Sequence, residues 1–161
     1  MTRLTDDMRA IVQSAHLCFA ATVTPDGRPN LSPKGTIRVF DDSSLCFIDI
    51  ASPGTRRNLA ANPWMEVNVV DALSRRGYRF RGRARFCANG SSECARALEI
   101  LARDDANAYP VEGAVILAVE SAAPLRSPGY LFAGDERAMR RAWRARRDAL
   151  DAEFEAFLAN R

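Results

Sequence analysis

A chain of 161 residues and 17.8 kDa has room for one domain with a sizeable core. Its 47% hydrophobic and 27% charged residues suit a globular protein, and no apolar run approaches the roughly 20 residues a membrane-spanning helix needs. The formal charge of +3 is modest and by itself demands no polyanionic partner.

The first segment predicts a helix over Thr5–Ala15. Thr5 can cap it, Asp6 and Asp7 suit its positive end, and Met8, Ile11, Val12 and Ala15 form one apolar stripe. Acidic residues stand where an export signal would carry its apolar stretch, so the expected location is cytoplasmic. Leu17–Thr24 reads as a strand ended by the turn signal Pro25-Asp26-Gly27. Pro29–Phe40 resumes extended structure, with Pro33 and Gly35 marking a break or bulge, and Leu45–Ile50 is a third strand. Behind Ser52-Pro53-Gly54 a short helix is expected over Thr55–Asn62, packed through Leu59 and Ala60 and stopped by Pro63.

Trp64–Asp71 and Gly77–Phe86 both alternate as strands. The second sets Tyr78 and Phe80 on one face and Arg79, Arg81, Arg83 and Arg85 on the other, which must meet water or an anion. Ser92–Ala102 predicts a helix and Gly113–Glu120 a fully buried strand, followed by a loop over Ala122–Gly134. In a last helix, over about 135–160, Met139, Trp143, Arg146, Leu150, Phe154 and Phe157 recur at three- and four-residue steps, a stripe to be packed on the barrel or on a partner chain. Six strands joined mostly by tight turns, with few helices, predict an α+β fold. It is a six-stranded antiparallel barrel with peripheral helices, in a single domain over residues 1–161.

Familiar catalytic arrangements are missing. The sole histidine, His16, has no HxxxH or HxxE partner, and there is no GxSxG. The cysteines Cys18, Cys46, Cys87 and Cys94 have no metal-ligand spacing, so no metal is expected and the thiols read as small hydrophobes. Reactivity would then come from a cofactor. Two segments suit an anion. In Asn30-Leu31-Ser32-Pro33-Lys34-Gly35-Thr36, hydroxyls flank the only lysine of a chain whose other bases are all arginine. In Ser52-Pro53-Gly54-Thr55-Arg56-Arg57-Asn58, a turn enters a helix whose free N–H groups and arginines can grip phosphate; a capped helix with solvated arginines fits the same spacing.

The order NLSPKGT, a strand, SPGT-x-x-NL-x-x-NP, a strand ending VVD, and RRGYRFRG resembles the pyridoxamine-phosphate-oxidase-like split-barrel flavoproteins over about Leu17–Arg85. The resemblance implies a homodimer with one flavin mononucleotide (FMN) in each of two interfacial clefts. It places Thr55, Arg56 and Arg57 on the phosphate, Ser32, Pro33, Lys34 and Thr36 along the ring, and Arg75 and Arg76 on the other side. It implies an FMN-dependent oxidoreductase, flavin reductase-like, acting on a small molecule with NAD(P)H as a candidate donor. No histidine follows His16, so the Arg-x-His type of motif that serves pyridoxamine phosphate in the true oxidase is missing, and that substrate is not expected. Alternatives are another cofactor, a deazaflavin or haem, or a non-catalytic flavin carrier or sensor. A more distant one is nucleic-acid binding through Arg137–Arg147, whose charge Glu136, Asp148, Asp151, Glu153 and Glu155 largely offset.

Overall fold

A computed structural model describes residues 1–105, 108–132 and 134–159. The elements are α1 (Asp6–Ala15), β1 (Cys18–Val23), β2 (Pro29–Lys34), β3 (Arg38–Val39), β4 (Ser44–Asp49), α2 (Pro53–Ala61), β5 (Trp64–Asp71), β6 (Arg76–Ala88), α3 (Ser92–Leu101), β7 (Gly113–Arg126) and α4 (Glu136–Ala159), with a 3-10 turn at Pro128–Leu131. No helix among the described residues is long and apolar enough to cross a membrane.

All seven strands form one antiparallel sheet in the order β2-β1-β5-β6-β7-β4-β3. Its outermost strands, β2 and β3, are separated in sequence only by Gly35, Thr36 and Ile37. Seven strands laid flat would hold those edges about 29 Å apart, whereas four chain steps reach about 14 Å at most. The sheet must therefore curl into a split barrel. Thr36 ties the join: its hydroxyl accepts from Ile48 N at 3.0 Å and donates to Ile48 O at 3.4 Å.

The count is seven strands rather than six, because the Pro29–Phe40 stretch breaks at Gly35 into β2 and β3. β7 also runs on to Arg126, through what reads as the start of a loop at Ala122. Pro124 is tolerated there because this end of β7 pairs with β6 alone, so a missing N–H costs no ladder bond on the free edge. A register shift at Arg81/Gly82 bends the β6–β7 pair, and a side chain at Gly82 would collide with the Ala118 carbonyl. Thr5 caps α1 as expected, accepting from Met8 N at 3.3 Å. His16 closes it with φ 51°, a left-handed position that histidine adopts more readily than most residues.

Period-two alternation divides the core. Leu45 and Phe47 of β4, with Val115, Leu117 and Val119 of β7, face the barrel interior beside Val67, Phe80 and the α1 residues Ile11 and Val12. Cys46, Ile48, Ala114 and Ile116 face the other way, beneath α3 with Cys94, Ala97 and Leu101. Large side chains buried this fully, such as Phe47 and Phe80, each contribute about 1.5–3 kcal/mol. The arginine row of β6 is compensated rather than bare: Arg79 and Arg81 reach Glu66 at 3.0 and 2.7 Å, and Arg83 and Arg85 stand 3.6 and 3.7 Å from Glu120 and Glu93.

Candidate cofactor-binding site

The end of β2 and the start of α2 meet at Lys34. Ser32 and Lys34 alternate to the same side of β2, and the Lys34 ammonium donates to Ser32 Oγ at 2.7 Å and to Ser52 Oγ at 2.6 Å. It also stands 5.6 Å over the Phe47 ring. Burial pushes its pKa down, while the charges of Asp49 and Cys18 pull the other way. Ser32, Pro33, Lys34 and Thr36 line one open cavity of about 380 Å³ together with Ile48, Ile50, Ser52 and Tyr109.

α2 begins at Pro53, two residues earlier than the sequence suggests, with proline in its first turn where no N–H is needed. Ser52 sits at the capping position but makes no capping bond; its hydroxyl is turned to Lys34 instead. The first amides of α2 are thus left for another acceptor. Thr55, Asn58 and Leu59 form the buried side of the helix, whereas Ala60, expected to pack, is exposed. Asn58 anchors α2 to β1 by donating to Thr22 Oγ1 at 2.9 Å.

Arg56 and Arg57 have different surroundings. Arg56 lies 5.4 Å from the Phe86 ring, with Nε 3.3 Å from Asp49 and one terminal nitrogen 3.2 Å from Glu112. Asp49 is fully buried; one oxygen accepts from Ser52 N at 2.8 Å, and the other has no hydrogen bond, only the ion pair to Arg56. Arg57 is exposed, on the side of α2 opposite Thr55 and Leu59, with no ion pair among the described residues. Both arginines line a second cleft of about 620 Å³ with Pro63, Arg85 and Phe86.

Arg75 and Arg76 line neither space. Arg76 holds Asp7 at 2.9 Å and stands 2.9 Å from Glu136, an ion pair whose N–H line misses the oxygen. Arg75, at φ 57°, lies 4.2 Å from the Trp143 ring. Within one chain both are committed to α1 and α4. Sequence reasoning does not single out Asp49, and it places Ser52 in the anion-suited segment without giving it a role of its own. The legible trace of Asp49 was an acid inside the otherwise apolar run LCFIDI.

These residues fit a phosphate-bearing group: uncapped amides and a buried ammonium meet at the start of α2, and its second turn carries an arginine without an ion pair among the described residues. A family model described as pyridoxamine 5'-phosphate oxidase matches residues 4–112. The chain belongs to that family. Among solved structures, HupZ of Group A Streptococcus is 28% identical, covering 76% of this chain and 94% of that one with a TM-score of 0.65. An FMN-binding protein from Syntrophomonas wolfei is 13% identical over 75% and 90% of the two chains, with a TM-score of 0.56. HutZ, the haem storage protein of Vibrio cholerae, is 16% identical over 78% and 95%, with a TM-score of 0.60. The last two likenesses are of fold alone. No curated protein sequence matches significantly.

Proposed function

We propose that the chain binds FMN and acts as an FMN-dependent oxidoreductase on a small molecule, with NAD(P)H as the candidate donor. The observation that carries this reading is the buried Lys34, held by Ser32 and Ser52 at the start of α2, with Arg57 in the second turn of the helix left without an ion pair among the described residues. Bound FMN would supply the hydride chemistry that the side chains lack. Arg57 and the first amides of α2 would hold its phosphate. Lys34 would present positive charge at the ring's pyrimidine edge, and Thr36, committed to Ile48, would shape the cavity rather than bind. Arg56, neutralised by Asp49 and Glu112, would position α2 instead of gripping phosphate.

A homodimer belongs to this reading. The outer face of β1 and β2 presents Phe19, Val23 and Leu31 to solvent, with Phe19 in register with Pro33, which borders the Lys34 cavity. A second copy on that face would wall the cavity and could bring its own Arg75 and Arg76 toward it. The location proposed is cytoplasmic, where four free, buried thiols are stable.

The test is an absorption spectrum of freshly purified protein, mass spectrometry of the released cofactor, and light scattering. A flavin spectrum, released FMN and a dimer are expected. A Soret band, a released deazaflavin, or failure of the apoprotein to take up FMN would sink the assignment. A flavin-loaded monomer would sink the shared cleft.

A further inference from the structure

Packing within the chain does not account for most of α4, which lies outside residues 4–112 matched by the family. Its start is anchored: Met139 is buried, Arg140 pairs with Glu136 at 2.9 Å and with Asp71, and Trp143 lies against Arg75. From Arg144 to Ala159 every residue is exposed, about 24 Å of helix. Leu150 and Phe154 on that stretch are 50% and 58% exposed. A solvent-exposed helix of this length is marginal in water.

Its charges are segregated along the axis. Six arginines and no acids lie between 137 and 147; four acids and no bases lie between 148 and 155. A lone helix prefers the opposite arrangement, with acids near its N-terminus and bases near its C-terminus, because of the macrodipole. The Arg147/Asp151 spacing also sets base before acid, the weaker order for neighbours one turn apart. The pattern is unfavourable for α4 alone.

The same pattern is self-complementary in an antiparallel pair. At about 100° per residue, Trp143, Leu150, Phe154 and Phe157 fall in a stripe about 60° wide. Arg146 and Glu153 flank it on one side, Arg147 and Asp151 on the other. When two such helices face each other in opposite directions, residues of the same flank meet. With Leu150 opposite Leu150, Arg146 meets Glu153 of the second copy and Arg147 meets Asp151 of the second copy. Both charge pairs are centred on positions 149–150, and this register also sets Trp143 against Phe157 of the second copy. Each basic half then lies along an acidic half, and the two macrodipoles cancel.

We propose that α4 is a self-association helix, through which two copies of this chain pair antiparallel about Leu150. The proposal goes beyond the cofactor reading and does not depend on it.

Disulfide trapping in the full chain tests it. All four native cysteines are buried, so a cysteine placed on the exposed part of α4 adds an accessible thiol to a surface without one. Under mild oxidation Leu150→Cys should run as a covalent dimer on a non-reducing gel. Phe154→Cys alone should not, whereas Arg146→Cys mixed with Glu153→Cys should. Changing Arg146 and Arg147 to Glu in the Leu150→Cys protein should abolish the dimer. Mixing that protein with Leu150→Cys carrying Asp151→Arg and Glu153→Arg should restore it. Three results would each overturn the proposal: no cross-link at Leu150→Cys, equal self-cross-linking at both positions (parallel pairing), or a cross-link lost on nuclease treatment (a polyanion held by the arginine half). FMN titration of the same proteins reports separately. No cross-link in the Leu150→Cys protein with intact flavin binding sinks only the α4 proposal, and a cross-link there without flavin binding sinks only the cofactor reading.

Discussion

Replacing Arg57 by alanine removes a cation that has no other ion pair among the described residues, so the fold should lose almost nothing. If Arg57 holds the phosphate of FMN, one charge-assisted hydrogen bond goes with it, worth roughly 1.5–3 kcal/mol, or about ten- to a hundredfold in affinity. Riboflavin, which lacks the phosphate, should bind the variant as it binds the parent. Arg56→Ala should behave differently. It strips the fully buried Asp49 carboxylate of its only partner on one oxygen. Breaking a wholly buried pair costs about 3–5 kcal/mol, and since Arg56 is partly solvated about 1–3 kcal/mol is expected here. That loss should appear as a lower Tm and as equal weakening of FMN and riboflavin. Fluorescence titration of both apo-variants with both ligands, alongside thermal melts, separates the two roles. If Arg57→Ala weakens riboflavin as much as FMN, or if Arg56→Ala selectively weakens FMN, the division of labour at the start of α2 is wrong.

Lys34→Met should keep or raise the Tm, because a buried ammonium held by two hydroxyls costs more desolvation than it regains, while FMN affinity falls; a destabilised variant with unchanged affinity would contradict this. The burial that lowers the Lys34 pKa also implies a pH signature: the folded protein releases this proton before the unfolded chain does. The parent should therefore gain stability as pH rises through that depressed value, and Lys34→Met should lack the gain in denaturant melts. Asp7 is the opposite case. Hydrogen bonds from Arg76 and then Tyr78 hold its pKa below the ordinary 3.8, so it contributes stability above that pH and loses it as pH falls through the folded value. Asp7→Asn should cost at most about 1 kcal/mol at neutral pH, given its exposure, and nothing once pH has fallen below the folded value, where the two melting curves should converge. Burial pushes the Cys18 and Cys46 thiols up to about 12, so a thiol reagent at pH ~8 should leave both unmodified in the native protein and label them on unfolding.

What could be read from the sequence was whatever depends on neighbours along the chain. The Thr5 cap, the alternation of β5 and β6, and the buried run Gly113–Glu120 of β7 follow from spacing, and all are present. The errors are tertiary. Pro124 looks like a loop residue until one knows that β7 has only one pairing neighbour there. Lys34 looks like a candidate on a bulged strand until Ser52, far along the chain, takes its second hydrogen bond. Arg56 and Arg57 are indistinguishable as letters. They separate only because β4 brings Asp49, and the segment before β7 brings Glu112, to the same side of α2. The resemblance places Arg75 and Arg76 beside the cofactor, yet within the chain they serve α1 and α4. Only a second copy could return them to the cavity beside Lys34. The proposed dimer is thus where these residues and the candidate site stand or fall together, and α4, whose charges suit a copy of itself better than they suit α4 alone, offers one physical means of bringing copies together.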